Sequence, residues 1–138
     1  MSLMLGSRSV DAVVRCLNDA IKSGEERLSC FKGKAYKYRK PDDVKGEYIA
    51  VNHLPFVHSD AVGEGVVNIN IHVPETITHD INTKRLELLT EIISSMFPED
   101  TYIEPAYYEF MTDSRPTHDE DNTYYVNIQL KVTFNNLN

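Results

Sequence analysis

The sequence has few of the features that mark several large classes of protein. Its 138 residues include only two cysteines, Cys16 and Cys30, which are too few for a disulfide framework and lack the paired spacing of a zinc site. It also has no run of about eighteen apolar residues and no basic segment followed by an apolar signal core. We therefore expect reduced thiols, a cytoplasmic location and no membrane partner.

Motifs for nucleotide binding and for nucleophilic catalysis are missing as well. Gly63 and Gly65 precede a predicted strand instead of opening a helix, so they lack the geometry that presents backbone N–H groups to phosphate. Neither cysteine has a neighbouring histidine or lies in a recognisable nucleophile elbow. We expect no cofactor, no catalytic residue and no enzyme activity.

Positive charge is scarce and unevenly distributed. The net charge is −7, with ten Lys and Arg against nine Asp and Glu in residues 1–69, but four against twelve in residues 70–138. This surplus of acid argues against binding nucleic acid through a basic face, because that affinity depends on neutralising phosphates. Basic residues are concentrated in residues 32–45, where Tyr36 and Tyr38 separate them. Such a pattern could bind a single strand, but exposed lysines also protect a sheet edge, and we favour that role.

The centre of the chain predicts a strand followed by a helix. Apolar and polar residues alternate over residues 66–73, which is the period of a strand with one buried face. From Leu86 to Phe97 apolar residues recur at three- and four-residue spacing, which is typical of a helix, and Pro98 ends it. We expect this strand and helix to form the core on which the rest of the chain packs.

The N-terminal segment predicts an amphipathic helix behind a short leader. Residues 1–3, followed at once by a second methionine, are expected to be an added leader, so the domain is taken as residues 4–138. Ser7 or Ser9 is the expected N-cap, and Lys22 and Gly24 close the helix. Its apolar face is expected to cover the core.

Two hairpins are predicted, one on each side of the central unit. Residues 35–39 and 47–54 are rich in tyrosine and β-branched residues and are joined by Pro, Asp and Gly turn chemistry. Residues 102–112 and 123–134 form the second hairpin. The excursion between them, residues 113–122, is too polar and too long for a tight turn, so we expect it to project and to be mobile. The prediction is one α+β domain: a mainly antiparallel or mixed sheet of about five strands with two helices packed on it, in the order α-β-β-β-α-β-β.

Histidines and acids are the only material for an enzymatic site. His72, Glu75, His79 and Asp80 surround the loop after the central strand, and residues 118–121 crowd the last hairpin. Together they could hold a metal ion, and their oxygen donors would suit Mg²⁺ or Ca²⁺. We favour a solvated loop without a bound metal, since acids near loop tips ordinarily face water.

Paired tyrosines indicate a partner surface. Tyr107 and Tyr108 are consecutive on one predicted strand, and Tyr124 and Tyr125 on another, so each pair places one ring on each face of the sheet. At least one face therefore shows tyrosine to solvent or to a partner, and tyrosine is enriched at interfaces.

The order of these elements resembles a known family. An amphipathic helix, a hairpin, the strand Val66-Val-Asn-Ile-Asn-Ile-His-Val73, the helix over residues 86–97 and a final hairpin are similar to the tail terminator and tail completion proteins of tailed phages, which are head-tail joining proteins. The likeness covers nearly the whole chain and includes the polar excursion. It implies a non-enzymatic structural protein of a phage or prophage. Such a protein is expected to assemble from the cytoplasm into the virion tail, as a hexameric ring that meets other tail or neck proteins.

For such a ring, the charge pattern predicts the surfaces that meet. The basic hairpin of one subunit, residues 32–45, would contact the acidic half of the next, in a head-to-tail arrangement that a closed ring can repeat. An acidic lumen would let DNA pass without specific binding. The predicted interface residues are Lys34, Lys37, Arg39, Lys40, Arg115, His118, Asp119, Glu120, Asp121 and Tyr125.

Two alternatives of other classes stay open. One is a small metal-dependent hydrolase that uses His79, Asp80, His118 and Asp119, which requires that these ligands converge in a pocket. The other is a regulatory binding module with an exposed tyrosine face.

Overall fold

The chain folds into two helices on one face of a mixed β-sheet. The structure, a computed structural model, describes residues 5–23, 28, 30–58 and 62–135. The helices are α1 (Leu5–Lys22) and α2 (Thr83–Ser94); the strands are β1 (Ala35–Lys37), β2 (Tyr48–His53), β3 (Val57–His58), β4 (Val62–Pro74), β5 (Thr101–Ile103), β6 (Ala106–Asp113), β7 (Thr117–His118) and β8 (Thr123–Asn135). The predicted α+β class is confirmed. The short strands β3, β5 and β7 are present in addition to the five strands expected. The single strand predicted over residues 102–112 is two antiparallel strands, β5 and β6, with a turn at Pro105.

The sheet is built around the long antiparallel pair of β4 and β8. Its order is β1-β2-β4-β8-β6-β5, with β3 paired to β4 and β7 paired to β8. Pairing of β4 with β8 runs from Val62 opposite Asn135 to Pro74 opposite Thr123. Alternation along both strands turns apolar residues such as Ile69, which is fully buried, toward the helices. The predicted two-faced pattern of the central strand is therefore confirmed.

The predicted hairpin over residues 35–54 is wrong in its pairing direction. β1 and β2 run parallel, with Ala35 opposite Ile49. Tyr38, in the left-handed conformation at φ 66°, starts the return of the chain. Asn18 of α1 explains the placement of β1, because its side chain accepts from the Ala35 N–H at 2.8 Å and donates to the Ala35 carbonyl at 2.9 Å. A contact with the helix therefore holds this three-residue strand, which carries too little pattern to specify its own direction.

The start of α1 also differs from the prediction. Ser7 and Ser9 lie inside the helix instead of capping it, and the Ser9 hydroxyl donates to the carbonyl of Leu5 at 2.8 Å. Leu5 is itself buried, so packing extends the helix toward the N-terminus. The predicted leader over residues 1–3 and the predicted closing residue Gly24 lie outside the described residues.

Helix α2 ends earlier than predicted. It begins after Asn82, whose side chain accepts from the Arg85 N–H, and it ends at Ser94, short of Phe97. The Phe97 N–H instead donates to the Ser94 carbonyl in a tighter turn, while the Phe97 ring remains fully buried. Pro98 disfavours helical geometry at the residue before it, which accounts for the early end. No helix within the described part of the chain is long and apolar enough to cross a membrane.

The excursion over residues 113–122 does not project as predicted. β7 within it pairs with β8, and on either side the Ser114 N–H donates to the Asn127 carbonyl and the Asp119 N–H to the Thr123 carbonyl. These bonds satisfy backbone groups that a polar segment cannot pair by itself. The excursion therefore lies back along the sheet and forms a wall beside its open face.

Candidate functional site

The sheet face opposite the helices carries a network of amide side chains. Pairing of β2, β4 and β8 places Asn52, Asn68, Asn70 and Asn127 on this face. The Asn68 amide donates to Asn52 Oδ1 at 2.9 Å. The Asn127 amide donates to Asn70 Oδ1 at 2.8 Å and to Asn68 Oδ1 at 3.2 Å. Because the amides hold one another in place, the open face presents donors and acceptors in defined positions.

A row of three rings continues this open face toward the end of β4. Tyr48 of β2 and Tyr125 of β8 lie directly opposite His72 of β4, one on each side. The imidazole stacks on Tyr48 with ring centroids 4.2 Å apart and on Tyr125 with centroids 4.9 Å apart. His72 is consequently only 5% exposed, although it lies on the face without helices.

The turn before β8 brings two carboxylates to this row. Asp121 accepts from the Tyr48 hydroxyl at 2.6 Å and from the Thr123 hydroxyl at 2.5 Å. The Thr123 oxygen is in turn 2.9 Å from His72 Nδ1. Asp119 Oδ2 lies 3.7 Å from the same nitrogen. The ring row and the turn therefore form one hydrogen-bonded unit.

Protonation in this unit follows from burial and from its hydrogen bonds. Burial lowers the pKa of His72, although the charges of Asp121 and Asp119 oppose that change. Burial raises the pKa of Tyr48, and so does its hydrogen bond to Asp121. Burial alone would raise the pKa of Asp121, but hydrogen bonds from Thr123 and Tyr48 lower it below its ordinary value. Near neutral pH the unit therefore holds a neutral imidazole, a phenol and a carboxylate.

The unit lies in a cleft of about 630 Å³. Tyr48, His72 and Tyr125 contribute to its lining, with residues from the segments around 38–42 (Tyr38, Arg39, Lys40 and Asp42) and 118–121. The first of these segments carries Arg and Lys, and the second is mainly acidic. A cleft with rings, amides and charges of both signs is suited to a polar or ionic ligand.

The structure gathers most of the predicted interface residues in this one cleft. The seven that line it are Arg39, Lys40, His118, Asp119, Glu120, Asp121 and Tyr125. The other three do not line it: Lys37 pairs with Asp11 at 2.9 Å, Lys34 is exposed before β1, and Arg115 is exposed in the excursion. From the sequence we expected the basic and the acidic segments to form two separate surfaces, whereas in the folded chain they line the same cleft. Contact of any of these residues with a partner stays a prediction.

The four residues named for a hydrolase do not converge on one site: His79 and His118 both lie against Glu75, whereas Asp80 and Asp119 make other contacts. His79 Nδ1 lies 2.5 Å from Glu75, and His118 Nε2 lies 3.7 Å from the same carboxylate. Asp80 accepts from a threonine of its own loop. Of the four, Asp119 alone belongs to the His72, Asp119 and Asp121 group, whose potential ligand atoms all lie within 4.8 Å of one another.

Sequence reasoning missed two members of the site, Tyr48 and Thr123. Tyr48 reads as an ordinary strand residue and Thr123 as the first residue of a strand. No local motif marks either of them. Only the register that sets Tyr48 opposite His72, and the turn that returns Thr123 to Asp121, reveal their roles.

Comparison with known proteins identifies a fold and no family. No protein-family model matches the chain, and no curated protein matches its sequence. The chain is similar to a solved structure whose name states no function, at 11% sequence identity and a TM-score of 0.59, with 90% of this chain and 94% of that chain covered. At this identity the likeness concerns the fold alone. Fold and site together define an α+β protein with a polar cleft on the open face of its sheet.

Proposed function

We propose that the chain is a structural subunit of a phage or prophage tail. It would be a tail terminator or tail completion protein that assembles as a ring of about six copies at the head-tail junction. The observation that carries this proposal is the exposure of large apolar and aromatic side chains at two separate edges of one sheet. The family resemblance of the element order, from the first helix to the final hairpin, supports it.

The first edge is formed where β3 extends the side of β4 that β2 also pairs with. Leu54 and Val57 lie here, and Val57 is 72% exposed. The second edge is β5, which ends the strand order beyond β6, and Tyr102 is 53% exposed there. Its ring contacts that of Tyr107, with centroids 4.9 Å apart. Each edge therefore offers two exposed large side chains, which is the kind of surface that a partner covers.

Two different edges favour a ring over a symmetric dimer. A symmetric dimer joins one patch to a copy of itself, whereas contact between unlike patches is head-to-tail and closes when the rotation between subunits allows. Within the described residues, β3 and β5 each pair with a strand on one side only, and the unpaired side of such a strand is prone to pair with another chain. We expect the β5 edge of one subunit to meet the β3 edge of the next.

The basic residues of the first predicted hairpin support contacts between subunits less strongly than the sequence indicated. Lys37 is already paired with Asp11 and donates to Ser7 at 2.6 Å. Arg39 and Lys40 share a cleft with acids of their own chain. Because these charges have neighbours of opposite sign within the chain, we expect assembly to depend only modestly on salt.

The oligomeric state tests this proposal. Light scattering across a concentration series, with electron microscopy of the same samples, is expected to show a closed ring of about six copies. Val57→Glu and Tyr102→Glu are each expected to abolish it. Ile77→Glu is the control, because Ile77 is almost fully exposed but lies in the loop before α2, away from both edges. A monomer at every concentration, or an oligomer that survives both edge variants, would contradict the proposal.

A further inference from the structure

We propose that the cleft binds one divalent transition-metal ion, Zn²⁺ or Mn²⁺, through His72, Asp119 and Asp121. The imidazole comes from β4 and the carboxylates from the turn before β8, and the candidate ligand atoms lie within 4.8 Å of one another. His72 Nδ1 and Asp119 Oδ2 are 3.7 Å apart. Two ligands of a tetrahedral ion are about 3.4 Å apart. Small side-chain movements would therefore complete the site.

The burial of His72 is an observation independent of the acids. The side chain is 5% exposed, and within the described residues its one hydrogen bond joins Nδ1 to the Thr123 hydroxyl. Nδ1, the nitrogen that faces Asp119, is therefore held by a buried side chain at the wall of an open cleft, where it can bind an ion.

The carboxylates are positioned as metal ligands usually are. Outer-shell donors hold ligating carboxylates in place in known metal sites. Here the Tyr48 hydroxyl donates to Asp121 Oδ2, and the Thr123 hydroxyl donates to Asp121 Oδ1. The Glu120 N–H donates to Asp119 Oδ1 at 2.7 Å, so Asp119 Oδ2 is the oxygen left to face the imidazole. An ion would replace the hydrogen bond between Nδ1 and Thr123 and leave the other bonds intact.

The donor set selects the kind of ion. One imidazole nitrogen and two carboxylates suit Zn²⁺ or Mn²⁺, whereas Ca²⁺ and Mg²⁺ prefer ligand sets made of oxygen alone. Three protein ligands beside a cleft of about 630 Å³ leave coordination positions open to water or to a further ligand. An ion here would tie the acidic turn to the centre of the sheet. The proposal does not depend on ring assembly.

Calorimetric titration of the full chain with ZnCl₂ and with MnCl₂ tests the site. We expect one ion per chain, and no binding of Ca²⁺ at the same concentrations. Asp119→Asn and Asp121→Asn are each expected to weaken binding by at least about 100-fold, since loss of an outer-shell partner alone costs 10–100-fold. Glu120→Gln removes the same charge from the residue between them and is expected to leave the affinity unchanged.

A matched pair of tyrosine variants tests whether metal binding requires a correctly positioned Asp121 or only the negative charge of the acidic turn. Tyr48→Phe removes a hydroxyl that holds Asp121 and is expected to weaken binding by about 10- to 100-fold. Tyr125→Phe keeps the other ring of the stack, and no hydrogen bond of its hydroxyl is described, so it is expected to bind like the parent chain. Circular dichroism checks that each variant is folded. Absence of binding by either ion, or equal binding by the Asp119→Asn and Glu120→Gln variants, would overturn the proposal.

Discussion

Arg85 and Glu47 form a clamp whose contribution to stability can be measured. The guanidinium donates from Nε to Glu47 Oε2 at 2.5 Å, from Nη2 to Glu47 Oε1 at 2.7 Å, and from Nη2 to the Cys30 carbonyl at 2.6 Å. The side chains are only 20% and 12% exposed. The clamp joins the first turn of α2 to the residue before β2 and to residue 30, so three parts of the chain depend on it.

Replacement of Arg85 by Ala is expected to destabilise the fold by about 3 kcal/mol. Exposed ion pairs contribute about 0–1 kcal/mol, whereas loss of one partner of a buried pair costs about 3–5 kcal/mol. We expect a loss near the lower end of the range for buried pairs because some water reaches both side chains. The loss is still large because the variant leaves the Glu47 carboxylate without its bidentate donor. For a chain of this size the loss corresponds to a fall in Tm of about 10 °C.

Urea unfolding followed by circular dichroism measures this effect. Lys84→Ala is the control, since Lys84 is an exposed neighbour on the same helix turn. Glu47→Gln and the double variant complete a cycle that isolates the interaction between the two side chains, expected at about 2 kcal/mol. If the free energies of unfolding of the Arg85→Ala and Lys84→Ala variants differed by less than about 0.5 kcal/mol, the assignment of the clamp as a buried charge pair would be refuted.

The clamp also predicts a pH dependence with a definite sign. Burial alone would raise the pKa of Glu47, but the hydrogen bonds and charge of Arg85 outweigh it and hold the pKa below its ordinary value of 4.5. A depressed folded-state pKa adds stability above the unfolded pKa, and that stability is lost as pH falls through the folded value. The stability difference between the parent chain and Glu47→Gln is therefore expected to be constant near neutral pH and to shrink below about pH 4.5. A difference that grew on acidification would contradict this sign.

Two further substitutions test the core and one close backbone contact. Leu89→Ala is expected to lower the free energy of unfolding in urea by about 3 kcal/mol, because the Leu89 side chain is fully buried. Leu88→Ala on the same helix is the control and is expected to lower it by well under half of that, because Leu88 is 44% exposed. Equal losses would contradict the described buried face of α2. Gly33→Ala is expected to lower Tm strongly, since an added Cβ would overlap the backbone carbonyl oxygen of Glu47, and an unchanged Tm would show that this approach is not as close as described.

Local sequence patterns correctly predicted which residues of a strand or helix face the core. Apolar alternation in β4 and β8 was read correctly, and Tyr108 is buried while Tyr107 is exposed, as their adjacency predicted. The errors are at ends and pairings. Ser9 fits an N-cap pattern, yet burial of Leu5 carries the helix past it. The direction of β1 depends on Asn18, which lies in another element and leaves no local signal.

The site was predictable in its parts but not as a unit. The acidic residues 119 and 121 and His72 were all recognised as chemically active side chains, since their residue types identify them. Their convergence depends on a backbone register that sets Tyr48 and Tyr125 on either side of His72. Register is a property of paired strands, so a sequence without a structure indicates the side chains of the site but not their geometry.

The pairing of β4 with β8 has a consequence for how the chain folds. Its partners are about 50 to 70 residues apart, and β8 follows all the other described strands in chain order. Pairing over such distances requires closure of a long loop before any contact is gained, which slows folding. Until β8 emerges from the ribosome, one edge of the central strand has no partner. We expect the nascent chain to be prone to aggregation until β8 is made.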